Sequence, residues 1–379
     1  MKLSANILLA VFLFSSVLVY AGDLEPSAAP ASTMKTLDQV EPRIPIPGSD
    51  TVVGVYSISQ SGSYYLTGDR YSSTSGIYVG ADNVTIDLMG YTLTGSVSGG
   101  DYGIVISTGY SNVEISNGTI TNFTTGIYAG SYAGQNHRVI KVRVCNNAAA
   151  GINLNGSSCL VKDCSSVGNG GSSGNWTYGI RTGSGSVIEG NTVNNNGANN
   201  STHVYGIMAA QSCTIRGNTV YNNAASANGN CFGIYGDAAC IIKDNAVFEN
   251  GNSVAGGCYG MYANTGSTVI NNSIRDNGQS AGGAVYGINA ASYGTVSGNT
   301  VYGNGTSATG TVVYGLYLYQ GGTVTNNSVC GNGVSATSAT IYGIITSLDC
   351  FVDQNTAVGN GGTNLYPSVS CTFGTNHAP

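Results

Sequence analysis

Tyr205-Gly206-Ile207, Cys213-Thr214-Ile215 and Asn218-Thr219-Val220, followed by a polar stretch from Asn222 to Asn230 and then Phe232-Gly233-Ile234, make up one full turn of a repeat. The motif glycine occurs eleven times, at Gly76, Gly103, Gly126, Gly151, Gly179, Gly206, Gly233, Gly260, Gly287, Gly315 and Gly343, with steps of 27 or 28 residues from Gly151 onward. So constant a period marks one supersecondary unit stacked many times. Within each unit, three short β-rich runs are separated by Gly and Asn, and the connections show no 3.6-residue period, which gives three short strands per coil. No such strand is stable alone. Stacked about 4.8 Å from its counterpart in the next coil, it gains a parallel ladder and buries its inward side chains. The expected fold is all-β: a single parallel β-helix solenoid of about eleven coils of roughly 27 residues.

Aligning the chain on the motif glycine sorts its residues into columns. Val193, Val220, Val247, Ile274, Val301 and Val329 form one aliphatic stack, and Ile180, Ile207, Ile234, Met261, Ile288, Leu316 and Ile344 form another. A one-residue slip would turn both stacks outward, so burial fixes the register. Asn191, Asn218, Asn245, Asn272, Asn299, Asn327 and Asn355 fall between the second and third strands; a second column from Asn196 to Asn360 follows the third strand. Asn tolerates the left-handed backbone of a sharp bend, and stacked amides can hydrogen-bond from rung to rung, so the first column is expected to be a structural ladder.

The termini read differently. Lys2, the apolar run from Ile7 to Tyr20, and small residues before the cleavage position form a secretory signal peptide over residues 1–21. Residues 22–50 carry five of the seven prolines and read as an extended tether. Residues 51–362, proline-free, form the solenoid with its N-terminal cap, and residues 363–379 a C-terminal cap or tail. No apolar stretch is long enough to span a membrane. The charged residues are 12 basic and 18 acidic, a net charge of −6, with the basic ones scattered. Nucleic acid is therefore not expected as a partner, since duplex binding needs clustered Lys and Arg. The chain reads as secreted or displayed at the cell surface.

Ala81-Asp82-Asn83-Val84-Thr85-Ile86-Asp87-Leu88 with Gly90-Tyr91-Thr92-Leu93, together with the Gly-Ile strands and the Asn-Thr-Val turns, resembles the secreted bacterial right-handed parallel β-helix repeat proteins of the pectate-lyase-like superfamily. The resemblance covers roughly residues 51–362 and implies a right-handed coil. It implies little about function, because enzymes, tailspikes and adhesins share this helix.

Candidate sites follow from the columns. Glu249 and Asp276 stack on adjacent coils at a spacing compatible with a retaining glycosidase pair. Arg216 and Lys243 stack beside Asp244, the nearest approach to a lyase site, which would also call for Ca²⁺; no Asp-rich calcium loop is present, and no cofactor or metal is assigned. His137, His203 and His377 are too scattered in register for a triad or a zinc cluster.

Aromatic residues give the stronger hint. Tyr178, Tyr205, Phe232, Tyr259, Tyr286, Tyr314 and Tyr342 precede the motif glycine and are expected to stack at a corner. Tyr235, Tyr262 and Tyr317 on one strand, and Tyr221, Phe248 and Tyr302 on another, should face outward and present spaced rings to a neutral polysaccharide. Cys213 with Cys240, and Cys231 with Cys258, share columns on adjacent coils. Parallel in-register geometry suits a disulfide poorly, so stacked thiols are expected inside the sheet; Cys231 with Cys258 and Cys350 with Cys371 are better placed for a bond, and the pairing stays open. The main reading is an exported, non-catalytic scaffold that binds polysaccharide or self-associates. The alternative is a glycan-degrading lyase or hydrolase.

Overall fold

The structure, a computed structural model, describes residues 42–96, 100–130, 132, 134–171, 176–197, 202–337, 340–366, 368 and 370–379. It is a right-handed parallel β-helix with no helix among the described residues. The expected signal peptide and most of the expected tether lie outside the described residues. The end of the tether segment is folded: Ile44–Ile46 pairs with Tyr64, Tyr65 and Leu66, and Ile46 is fully buried. Pairing therefore begins before residue 51, because alternation at Ile44 and Ile46 supplies one inward aliphatic.

The motif-glycine strands form a sheet of 13 parallel strands from Tyr56–Ile58 to Thr363–Tyr366, one beyond the motif at each end. The second and third strands of the coils join into a second sheet. Two strands cause the joining. Val113–Thr121 and Arg138–Cys145 run through the bend that elsewhere divides each coil's second strand from its third.

Both aliphatic columns are fully buried and in register, Val193 on Val220, Val247 on Ile274, Ile207 on Ile234. A third, from Ile188 through Ile215 and Ile242 to Val352, closes the core. The motif glycine is required by close approach. A Cβ at Gly233 would lie 2.6 Å from both the Gly260 carbonyl oxygen and Val247 Cγ1, and 3.2 Å from Asn250 Nδ2.

The asparagine ladder is complete from Asn191 to Asn355, each Nδ2 donating to the next Oδ1 at 2.9–3.0 Å. A parallel ladder runs from Asn147 to Asn360. The left-handed backbone sits one residue earlier than the sequence reading placed it. Asp244 (φ 57°), Asn271 (56°) and Asn326 (57°) make the bend, and Asn245, Asn272 and Asn327 follow with their amides turned inward. Glu249 and Asp276, both at φ 55°, occupy the equivalent bend before the second ladder.

The last residues cap both ladders. Asn355 donates to Asn376 and Asn360 to Asn364, each at 3.0 Å, and Asn376 returns a bond to the Val352 carbonyl.

All ten cysteines are free. Cys231 and Cys258 continue a valine column between Val204 and Val285 in a small core under the polar loops. Cys213 and Cys240 stand in a serine column: Ser186 N donates to Cys213 Sγ at 3.3 Å, as Cys240 N donates to Ser267 Oγ at 3.1 Å. Neither environment asks for a bond.

Candidate functional site: the outward aromatic face

The outward column of the motif-glycine sheet runs, rung by rung, Asn153, Arg181, Met208, Tyr235, Tyr262, Asn289, Tyr317, Ile345 and Tyr366. Tyr235 and Tyr262 stack at 5.0 Å and 1°. They are pinned edge-on by Phe232, 5.6 Å from Tyr235, and Tyr259, 5.9 Å from Tyr262, members of the corner column. That corner column stacks as expected, Tyr205 on Phe232 at 4.8 Å and Phe232 on Tyr259 at 4.7 Å.

Asp237 closes one edge of the tyrosine pair. Asn264 Nδ2 and the Ala238 N–H donate to its Oδ1 at 2.8 and 2.9 Å, which orients the carboxylate. Burial, and after it the Asp237 charge, raises both phenols, so Tyr235 and Tyr262 stay protonated at neutral pH. Two rungs from Tyr235, the Arg181 guanidinium lies over Tyr178 at 5.1 Å and borders an open depression of about 380 Å³ with Met208, Thr182, Ser184 and Asn155. On the opposite edge stands Trp176, 49% exposed, 5.9 Å from Tyr205 and 5.6 Å from His203.

The sequence reading found Tyr235, Tyr262 and Tyr317 here and missed Arg181, Asp237 and Trp176. Arg181 was legible, since it occupies the tyrosines' own column. Asp237 and Trp176 lie in connections, where the column alignment gives no direction.

The other candidates are placed elsewhere. Glu249 and Asp276 are neighbours, and Arg275 lies between them, 3.9 Å from Glu249 and 3.0 Å from Asp276, its guanidinium 4.2 Å above the Phe248 ring. Tyr221 and Phe248 stack on each other at 5.0 Å, so they present ring edges outward; Tyr302 is 51% exposed.

Arg216, Lys243 and Asp244 share a second groove of about 380 Å³ with Lys162, Asp163 and Glu189. Lys162 reaches Glu189 at 2.6 Å, and Arg216 Nε donates to the same carboxylate at 2.6 Å. These two hydrogen bonds hold Glu189 below the usual carboxylate range. Arg216 is thus already neutralised. Lys162 and Glu189 went unnoticed in sequence although they stand in the Arg216 column.

Among the described residues, no group of three or more His, Cys, Asp or Glu side chains is placed to hold a metal, and no helix is long and apolar enough to cross a membrane.

No protein-family model and no curated protein matches the chain. Two solved structures resemble it over most of their length, the A-modules of the mannuronan C-5 epimerases AlgE6 and AlgE4 of Azotobacter vinelandii. For AlgE6 the TM-score is 0.53 at 16% identity, covering 84% of this chain and 91% of the module. For AlgE4 the TM-score is 0.51 at 15% identity, covering 85% and 91%. The fold is that of the right-handed parallel β-helix proteins. At these identities the likeness concerns the β-helix alone.

Proposed function

We propose that this protein is an exported, glycan-active β-helix that holds an extended polysaccharide along the outward column from Arg181 to Tyr317 and acts on it there. The observation that carries the reading is Asp237 oriented at the rim of the Tyr235–Tyr262 pair on an open face. A carboxylate with one oxygen held by Asn264 and the other open is suited to proton abstraction, and the phenols beside it, kept protonated, are suited to hydrogen-bonding sugar hydroxyls. Arg181, unpaired by any acid among the described residues, supplies a cation for a uronate carboxylate elsewhere on the same chain.

The oriented Asp237 carboxylate favours processing over passive display, so the enzymatic alternative ranks above the scaffold. Glycan polymers also fit an extended face whose rungs recur about every 4.8 Å, a spacing of the order of one sugar residue.

The test is product release from a panel of neutral and uronic-acid polysaccharides, followed by reducing ends, by absorbance of unsaturated products and by NMR of epimer composition. Wild type is expected to give product, and Asp237→Asn to bind as wild type while losing it. Binding without product leaves the non-catalytic scaffold, and neither binding nor product removes the proposal.

A further inference from the structure

Aligned on the coil, basic residues that are scattered along the chain come together. Lys162, Arg216 and Lys243 share the outward column of the second strand, with Glu189 in register between Lys162 and Arg216. Arg143 points outward from the third-strand part of Arg138–Cys145, and Lys141 occupies the bend before it, one coil ahead of Asp163. Five of the twelve basic residues thus span five consecutive coils. All lie on the second sheet, not on the motif-glycine sheet that carries the tyrosine column.

Two depressions follow this stripe. The first, of about 230 Å³, is lined by Gly90, Asn117, Gly118, Thr119, Lys141 and Arg143. The second is the groove of Lys162, Glu189, Arg216 and Lys243, which begins on the next coil. Lys141 and Arg143 are exposed, and neither is paired with an acid among the described residues. Asp87, which Asn117 contacts at 3.3 Å, is itself paired with Arg43. In the groove, Lys162 and Arg216 share the single carboxylate of Glu189, so that triad keeps an excess positive charge, while Lys243 forms no ion pair among the described residues. With Asp163 and Asp244 counted, the two depressions hold five cations against three carboxylates, in a chain whose net charge is −6.

Lys141 is also an unusual residue for its position. It holds φ 55° at the bend, where the following coils place Asp163, Gly190, Gly217, Asp244, Asn271 and Gly298. Those types tolerate the left-handed region, whereas lysine is strained there and gains neither an ion pair nor a hydrogen bond in return. Strain kept without a structural return is a pointer to function.

We infer that this stripe is a docking surface for an acidic polysaccharide that runs along the helix axis and carries a carboxylate on each sugar. Rungs recur about every 4.8 Å, so such a chain brings about one carboxylate to each coil. It meets Lys141 with Arg143, then the triad around Glu189, then Lys243. A neutral glycan gains none of this attraction. The surface stands independently of the function proposed for the tyrosine column.

Equilibrium binding of polygalacturonate, hyaluronan and dextran to the Tyr235→Ala/Tyr262→Ala protein, whose outward column is disabled, tests it. Polygalacturonate should bind, hyaluronan, with a carboxylate only on alternate sugars, should bind more weakly, and dextran should not bind; added salt should weaken the binding. Adding Lys141→Gln and Arg143→Gln should lower the affinity for polygalacturonate by about tenfold or more at an unchanged melting temperature. If that protein does not fold, Lys243→Gln decides, with a loss of about threefold or more. Unaltered affinity, no binding of polygalacturonate, or hyaluronan or dextran held as tightly overturns the docking surface; a glycan still bound by wild type then leaves the function of the tyrosine column standing. Single-stranded DNA held as tightly as polygalacturonate, with the same dependence on Lys141 and Arg143, would make the stripe a nucleic-acid surface and overturn it as a glycan one.

Discussion

The Asn245 amide donates to Asn272 Oδ1 at 2.9 Å, while its own Oδ1 accepts both the backbone N–H and the Nδ2 of Asn218, at 2.9 and 3.0 Å. Its Nδ2 also reaches the Ile215 carbonyl at 3.0 Å, so every bonding position of this buried group is used. Asn245→Ala leaves the buried Asn218 backbone N–H without its acceptor and takes one bond each from Asn218 Nδ2, Asn272 Oδ1 and the Ile215 carbonyl. The expected loss is about 2 kcal/mol or more, since each orphaned buried group costs about 1–3 kcal/mol before relaxation. An unchanged denaturation curve would remove the ladder from the list of stabilising features.

The fold was legible because stacking imposes its own grammar on the sequence. Gly233 recurs at each coil because Gly260 oxygen and Val247 Cγ1 leave its neighbourhood no room for a Cβ. Asn recurs because an amide matches its own copy one rung away. The site was legible only where it lies on a strand: Tyr235 and Tyr262 have a direction set by parity, whereas Asp237 has none. The left-handed position was misplaced by one residue because the Asn preference at bends and the Asn preference in ladders look alike in sequence.

The cysteines should prove to be reduced. Cys159 and Cys164 are pushed up to about 11 by burial, and Cys213 and Cys231 take the places of a serine and a valine. Alkylation in denaturant without reductant should label all ten thiols, and Cys213→Ser should fold with nearly wild-type stability. Fewer labelled thiols would mean that adjacent coils are cross-linked.

His137 should make the helix acid-sensitive. Its ring is fully buried with no partner for either nitrogen, and burial lowers it from 6.5 to about 4. The unfolded chain therefore takes up the proton first. Stability from neutral His137 is complete above about pH 6.5, falls as the pH drops toward about 4, and levels off below. At 1.36 kcal/mol per unit the loss is on the order of 3 kcal/mol. In His137→Leu this part of the pH dependence should vanish from urea denaturation measured across that window; an unaltered profile would contradict the assignment.

Glu249 and Asp276 should be dispensable. Both carboxylates are partly exposed and lean on Arg275, which places them among surface ion pairs of about 0–1 kcal/mol. Glu249→Gln and Asp276→Asn are expected to shift the melting temperature slightly and to leave glycan binding and turnover intact. Turnover abolished in either variant, with binding retained, would move the chemistry to that bend.

The central claim, a glycan held on the outward tyrosine column, is tested most directly by equilibrium binding of wild type and Tyr235→Ala/Tyr262→Ala to the polysaccharide panel, with folding verified by melting temperature. The account predicts wild-type binding to at least one polysaccharide and a loss of about tenfold or more in the folded double variant. Undiminished binding by that variant, or no binding by wild type, would contradict it.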